Sequence, residues 1–200
     1  MMEKVKIAIF GSGGIAGLHL GSLRNFPDVE VAGFCDVDST RVDARVKEFG
    51  GQGFCDPGEM MDTVKPDAVY VCVPPFAHGP VELACTKRKI PFFVEKPIAN
   101  ELEITQKISA AITKNNLLTC VGYMNRYRKS VNRVKELLAA DPAAAIHGGW
   151  IGGVIWNHPW LTTKKLSGGQ ILEQTTHEFD LVRYLCGEVK CIFAAATAKE

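Results

Sequence analysis

The chain has 200 residues, of which 46% are hydrophobic and 22% charged, and its formal net charge is +1. This composition is typical of a globular protein with a sizeable core, and the near-zero charge gives no electrostatic reason to expect nucleic acid or an anionic membrane as a partner. We expect a cytoplasmic protein, because no apolar stretch approaches the ~20 residues that span a bilayer and the N-terminus lacks a secretory signal.

Strand-like and helix-like segments alternate through the first part of the chain. Apolar runs predict six strands: Lys4–Phe10, Val29–Cys35, Gln52–Cys55, Asp67–Val73, Pro91–Glu95 and Leu117–Gly122. Helical spacing predicts the connecting helices: Ile15–Phe26, Ser39–Phe49, Pro57–Val64, His78–Lys87 and Glu101–Asn115. This order predicts an α/β fold, a doubly wound parallel sheet whose ligands bind beyond the carboxyl ends of the strands.

The pattern changes near residue 125, so we predict a dinucleotide-binding Rossmann domain over residues 1–124 and part of a substrate or oligomerisation domain over residues 125–200. The predicted elements of the second part are a helix, a long β-type stretch, a loop, a mainly helical segment and a strand: Lys129–Ala140, Ala143–Trp156, Asn157–Gly169, Ile171–Cys186 and Glu188–Ala198. Two long strands and two helices make a poor free-standing domain. We therefore expect this second domain to be incomplete in the chain.

Cysteine and histidine usage argues against a disulfide framework or a metal site. The seven cysteines have no Cys-x-x-Cys spacing, and Cys35 and Cys72 fall inside apolar runs, which favours buried thiols in a reducing compartment. His147 and His158 have no metal-ligand spacing, so no metal is predicted. His19, in the first predicted helix, is expected to be a buried structural histidine.

The most informative segment is VKIAIFGSGGIAGLH, in which an apolar strand meets a glycine-rich turn and a helix-like pattern follows. Glycines at these positions permit a tight turn and let the backbone approach a pyrophosphate, while a small third residue lets the helix pack on the strand. The anion then meets the positive helix N-terminus. The candidate cofactor-binding residues here are Gly11, Ser12, Gly13, Gly14, Ile15 and Ala16.

Asp36 ends the second predicted strand, 20 residues after Ala16, about where an acid binds the adenosine ribose hydroxyls. Such an acid repels a 2′-phosphate, so the sequence favours NAD as cofactor. Arg41, in the following helix, could soften that repulsion, which leaves NADP as the alternative.

Two further motifs follow neighbouring strands. In VCVPPFAH, Pro74 and Pro75 give a rigid exit whose backbone can face the nicotinamide ribose, and His78 either contacts the cofactor or starts the next helix. In VEKPIA, Glu95 and Lys96 are further cofactor-contact candidates. Lys96 can hydrogen-bond a substrate hydroxyl and stabilise developing oxyanion charge, although a solvated surface lysine is the alternative.

Together, six segments in this order resemble the Gfo/Idh/MocA oxidoreductases, a family that includes glucose–fructose oxidoreductase and inositol dehydrogenase: GSGGIAGLH, CDVD, VCVPPFAH, VEKPIA, GYMNRY and SGGQILEQTTHEFDLVRYL. The resemblance spans nearly the whole chain. It implies an N-terminal Rossmann domain and a C-terminal α/β domain with an open, mostly antiparallel sheet. Family members are typically longer and often assemble through that sheet, so a homo-oligomer is expected of the full-length protein.

The resemblance also assigns residues. It implies that Lys96 is the catalytic lysine and that His177 is the histidine that acts as acid or base. Many members have an aspartate four residues before this histidine, where this chain has Glu173; if the segment is helical, Glu173 lies on the same face and orients His177. Asp180 is the alternative partner. Asn125, in GYMNRY, lies where members often contact cofactor or substrate.

These residues predict an NAD(P)-dependent dehydrogenase or reductase that acts on a secondary alcohol or carbonyl of a sugar, polyol or cyclitol-like substrate. In the oxidation, His177 takes the hydroxyl proton, Lys96 stabilises the alkoxide, and hydride passes to nicotinamide. Two alternatives stay open: a dinucleotide-binding sensor without chemistry, and an inactive fragment.

Overall fold

The structure is a computed structural model that describes residues 4–152 and 158–196. The described residues fall into two units, which comprise residues 4–122 with 158–173 and residues 123–152 with 174–196.

The first unit is built on one parallel sheet. Its strands are β1 (Val5–Phe10), β2 (Val29–Cys35), β3 (Gln52–Phe54), β4 (Ala68–Val71), β5 (Phe92–Val94) and β6 (Thr119–Val121). They pair in the order β3-β2-β1-β4-β5-β6, each parallel to its neighbours. The order reverses between β1 and β4, which opens a crevice at the carboxyl ends of these strands. The predicted doubly wound parallel sheet is confirmed.

The helices of both units are, in chain order, α1 (Gly14–Leu23), α2 (Ser39–Phe49), α3 (Pro57–Val64), α4 (Pro80–Arg88), α5 (Leu102–Asn115), α6 (Lys129–Ala140), α7 (Pro159–Thr162), α8 (Lys164–Ser167), α9 (Gln170–Glu173) and α10 (Thr176–Cys186). A 3-10 turn covers Pro75–Ala77, and α4 begins at Pro80 instead of the predicted His78, after Gly79 with a φ of +115°. Within the ranges that the structure describes, no helix has the length and hydropathy to cross a membrane.

Alternate residues of β1 pack on opposite faces of the sheet. Ile7 and Ile9 join a buried cluster that includes Phe34, whereas Ala8 and Phe10 join a second buried cluster. Full burial of an isoleucine or phenylalanine side chain stabilises the folded state by about 1.5–3 kcal/mol. Helices are therefore held on both faces, and the strand ends that carry the candidate site have a rigid support.

The second unit differs from the sequence prediction. The stretches predicted as strands, Ala143–Trp156 and Glu188–Ala198, contain no strand over residues 143–152 and 188–196; their remaining residues lie outside the described ranges. The antiparallel sheet expected here is therefore not observed among the described residues of this unit. A strand is stabilised by ladder hydrogen bonds to a neighbouring strand, and glycines such as Gly148 and Gly149 weaken one further.

Helices also occur where a loop was predicted. The described part of Asn157–Gly169 contains α7 and α8, because Pro159 occupies the first helical position of α7. The segment Ile171–Cys186 is mainly helical as predicted, but the helix is interrupted: α9 ends at Glu173 and α10 begins at Thr176.

The cysteines divide by burial into two groups. Cys35, Cys72 and Cys85 are buried, and the exposed ones are Cys55, Cys120, Cys186 and Cys191. Burial raises the pKa of the Cys35 and Cys85 thiols to about 12 and raises that of Cys72 as well. The thiolate, which is the reactive form, is therefore scarce at the buried positions.

We expect four thiols of the folded protein to react rapidly with a chromogenic disulfide reagent near neutral pH, and all seven to react after denaturation. Cys55→Ser is expected to lower the number of rapidly reacting thiols to three, whereas the matched variant Cys85→Ala leaves that number at four. Rapid reaction of a fifth thiol in the folded wild type would contradict the burial of these side chains.

Candidate cofactor-binding and active site

The glycine turn begins where β1 approaches β4. Gly11 has a φ of +81°, and its N–H donates to the Cys35 carbonyl at 2.8 Å. A Cβ at Gly11 would overlap the main-chain carbonyl of Cys72 at the end of β4. A side chain at this position is excluded by both the backbone conformation and the neighbouring strand.

The turn then opens at the start of α1. Gly13 is the N-cap and gives no side-chain cap, and a Cβ built at Gly13 or Gly14 would meet no heavy atom within 4 Å apart from those of the adjoining main chain. Ala16 is fully buried, so that α1 packs closely on the sheet, whereas Ile15 is exposed. An uncapped helix N-terminus beside open space suits an anionic phosphate group.

Asp36 holds the turn from the end of β2. One carboxylate oxygen accepts the Ser12 N–H at 2.6 Å and the other accepts the Asp38 N–H at 3.0 Å. A carboxylate has about four lone-pair sites, so it retains acceptor capacity for two ribose hydroxyls. The Ser12 hydroxyl is buried without a hydrogen-bond partner.

Arg41 lies in the first turn of α2 with an exposed side chain, and its Nε is 3.1 Å from Asp38 Oδ2. Asp38 caps the same helix by accepting the Thr40 N–H at 3.0 Å. The Thr40 hydroxyl hydrogen bond is the main cause that lowers the pKa of Asp38. The Arg41 guanidinium therefore already has an acidic neighbour beside the predicted ribose position.

The exit of β4 is rigid, and its histidine is internal. Pro74 precedes the 3-10 turn that Pro75 begins. His78 is 2% exposed; its Nδ1 is 2.5 Å from Glu82 Oε1, and Glu82 Oε2 accepts the Gly79 N–H at 2.7 Å. Through Glu82, His78 supports the start of α4, whereas its Nε2 is buried without a hydrogen-bond partner.

Glu95 follows β5 and is joined to α1. Its Oε1 lies 2.7 Å from His19 Nε2, and its Oε2 accepts the Lys96 N–H at 3.1 Å. The His19 ring also packs edge-on against Phe93, with ring centroids 4.9 Å apart. This pair links the helix that follows the glycine turn to the strand that carries Lys96.

Lys96 is held by Glu173. Its Nζ donates to Glu173 Oε1 at 2.6 Å and to the Glu173 carbonyl at 2.8 Å, and the two side chains are only 15% and 9% exposed. The Lys96–Pro97 peptide bond is cis. Lys96 is therefore not a solvated surface lysine. Glu173 ends α9 and His177 lies in α10, which begins at Thr176, and the pairing of Glu173 with His177 stays a prediction.

The second unit contains the remaining predicted residues. His177 is buried, and its ring lies edge-on to Tyr123 with centroids 6.1 Å apart. Asp180 is also buried and forms a bidentate pair with Arg126, whose Nε donates to Oδ2 at 2.8 Å and whose Nη2 donates to Oδ1. Hydrogen bonding to Asp180 is the main cause that raises the pKa of Arg126. Asn125 Oδ1 is buried without a hydrogen-bond partner.

The structure thus brings together the glycine turn with Asp36, and Lys96 with Glu173, in the first unit; His177 and Asn125 belong to the second. The described residues contain no group of three or more side chains suited to a metal ion. Sequence reasoning missed the roles of His19 and of Arg45, whose guanidinium contacts the glycine turn. Both contacts join segments far apart in the chain, and no local pattern signals them.

The first unit fits a nicotinamide dinucleotide. The uncapped start of α1 and the open space at Gly13 and Gly14 would receive the pyrophosphate, and the Asp36 carboxylate would bind the adenosine ribose. The position of Lys96 after β5 is at the carboxyl edge of the same sheet, where such ligands bind.

Comparison with known sequences gives two family matches. Residues 5–123 match the family described as "Oxidoreductase family, NAD-binding Rossmann fold", and residues 143–200 match "GFO/IDH/MocA C-terminal domain".

Curated relatives include a myo-inositol 2-dehydrogenase of Thermotoga maritima, which is 28% identical over 192 residues covering 95% of this chain and 58% of that protein. A scyllo-inositol 2-dehydrogenase (NAD(+)) of Bacillus subtilis is 25% identical over 197 residues, 94% of this chain and 55% of that protein. The chain therefore spans somewhat more than half the length of these relatives.

Among solved structures, the WlbA dehydrogenase of Bordetella pertussis in complex with NADH and UDP-GlcNAcA matches with a TM-score of 0.84. The sequences are 21% identical, and the match covers 92% of this chain and 56% of that one. At this identity the likeness shows the fold.

The Glu82 carboxylate satisfies two buried groups, the His78 ring and the Gly79 N–H. We expect Glu82→Ala to lower the free energy of unfolding by about 1–3 kcal/mol, since it leaves buried polar groups unsatisfied. Urea denaturation measures this change. The control is Glu103→Ala, which removes an exposed ion pair with Lys107 and is expected to have little effect. Equal effects of the two variants would contradict a structural role for Glu82.

Proposed function

The chain belongs to the Gfo/Idh/MocA oxidoreductase family, and we propose that it transfers hydride between a nicotinamide cofactor and a sugar, polyol or cyclitol-like substrate. The reacting group is a secondary alcohol or the corresponding carbonyl. The observation that carries this proposal is the Lys96–Glu173 pair, a poorly exposed ammonium at the same sheet edge as the glycine turn. Inositol dehydrogenases among the relatives support the substrate class.

Five groups of this chain are assigned to the cofactor. The start of α1, from Gly13 to Ala16, binds the pyrophosphate, and Asp36 binds the adenosine ribose. Pro74, Pro75 and Glu95 border the nicotinamide side. When bound, nicotinamide supplies the hydride acceptor.

Lys96 acts on the substrate oxygen. Glu173 accepts two hydrogen bonds from Nζ, which fixes the ammonium position and leaves one of its three donors for a substrate hydroxyl. A positive charge fixed in a site with little solvent stabilises the alkoxide as it forms, and it does so without reorganisation. In this proposal Glu173 positions Lys96.

His177 removes the hydroxyl proton in the oxidation and returns it in the reduction. Imidazole suits this role because its unperturbed pKa lies near neutrality. The Asp180 carboxylate is engaged by Arg126, which supports a role for Asp180 in holding the second unit together.

We expect Lys96→Met to reduce the turnover number by about 100-fold or more, because it removes the stabilising charge, while NADH affinity is retained. NADH formation across a panel of cyclitols, polyols and sugars measures turnover, and fluorescence titration measures binding. Lys107→Met, at an exposed lysine paired with Glu103, is the matched control.

The double variant Lys96→Met with Glu173→Gln removes the carboxylate that the single variant leaves without its cation. It is expected to be as inactive as the single variant. Near-normal turnover of Lys96→Met would contradict the proposed role, and a wild type that binds NADH but turns over no member of the panel would favour the sensor function.

The assignment of Asp36 predicts a preference for NADH over NADPH. Asp36→Asn removes the charge that repels a 2′-phosphate. We therefore expect the ratio of the NADPH dissociation constant to the NADH dissociation constant to fall by about tenfold. Asp43→Asn, at an exposed position of α2, is expected to leave the ratio unchanged. Equal affinities of the wild type for both cofactors would overturn the preference.

A further inference from the structure

Arg45 reaches from α2 to the main chain of the glycine turn. Its Nε donates to the Ser12 carbonyl at 3.2 Å and its Nη2 donates to the Gly13 carbonyl at 2.9 Å. The side chain is 21% exposed, and Nη1 is 3.3 Å from Glu48. A guanidinium is a rigid fork of donors, so these two bonds fix both peptide planes at once.

The two peptide planes present their other side to the cofactor position. The peptide bonds Ser12–Gly13 and Gly13–Gly14 are both trans, since Lys96–Pro97 is the only cis bond among the described residues. In a trans peptide the N–H points opposite to the carbonyl. With the carbonyls turned toward Arg45, the Gly13 and Gly14 N–H groups therefore point away from it, at the residues where the turn is open.

The local structure is built to admit this side chain. A Cβ at Gly17 of α1 would come 2.9 Å from Arg45 Nη2, so glycine provides the room. On the other side of the turn, Asp36 accepts the Ser12 N–H. The Ser12 peptide groups are thus held between an acid at the end of β2 and an arginine of α2.

We propose that Arg45 is a positioning residue for the dinucleotide pyrophosphate: it locks the Ser12 and Gly13 carbonyls so that the Gly13 and Gly14 N–H groups are preorganised as phosphate donors. This inference rests on the proposed cofactor function. It adds Arg45 to the cofactor site as a residue that acts through the main chain of the glycine turn. Its charge behind the turn also adds to the positive end of α1.

The test compares Arg45→Met with the matched control Arg24→Met. Arg24 also pairs with Glu48, at 3.1 Å, and carries the same charge, but its recorded contacts are with Glu48 and the Phe49 ring. We expect Arg45→Met to weaken NADH and ADP-ribose binding by about tenfold, because hydrogen bonds from a charged donor are lost. Arg24→Met is expected to bind both as the wild type does.

Adenosine, which lacks the pyrophosphate, separates positioning from a general structural role. Ligand-observed NMR should show adenosine binding to Arg45→Met much as to the wild type. Arg45→Lys keeps the charge but loses the fork, and its NADH affinity should lie between those of the wild type and Arg45→Met.

Gly17→Ala keeps the arginine but displaces its guanidinium, and alanine is the better residue inside a helix. We expect its thermal unfolding midpoint to equal or exceed that of the wild type while NADH binding weakens. Unchanged NADH affinity in both Arg45→Met and Gly17→Ala overturns the proposal, as does an equal loss of adenosine binding. A wild type that binds no NADH overturns the proposed function together with this inference.

Discussion

The close approach of the turn after β1 to the end of β4 is the constraint on which the cofactor site depends. Gly11 lies in this contact with a positive φ, and the Cys72 carbonyl occupies the space that a side chain would need. Because β1 and β4 are neighbours at the reversal of strand order, the turn after β1 contacts the chain at the end of β4. Helix α1 therefore starts at the crevice. The exposed N-terminus of α1 follows from this arrangement, whereas Asp36 reaches the turn because β2 is the other neighbour of β1.

The acidic side chains of the candidate site are each matched by donors. Asp36 accepts backbone N–H groups, Glu95 pairs with His19, and Glu173 pairs with Lys96. A charge removed from water is costly unless it is paired and hydrogen-bonded, so these donors offset the loss of water around each carboxylate. The same pairs fix side-chain orientation, which is what a site for ordered hydride transfer needs.

The sheet and the glycine turn could be predicted because their signals are local. An apolar run such as Val5–Phe10 shows a strand directly, and the glycine spacing after it shows the turn. Glu173 shows the limit, because helical spacing relates it only to nearby residues such as His177. Its contact with Lys96, like that of Arg45 with the turn, depends on packing between distant segments. The same holds for the strands predicted after residue 143, because a strand needs a pairing partner that its own sequence does not reveal.

The sheet of the first unit ends in two very short strands, β3 at one side and β6 at the other, with three residues each. An outer strand is the place where unpaired main-chain groups can recruit another polypeptide into fibrillar aggregates. Three residues offer little template for such cross-molecule β-pairing. Association of two molecules by pairing of their outer strands β3 or β6 is therefore disfavoured, even at high concentration. Self-assembly of the first unit would instead use contacts between side chains.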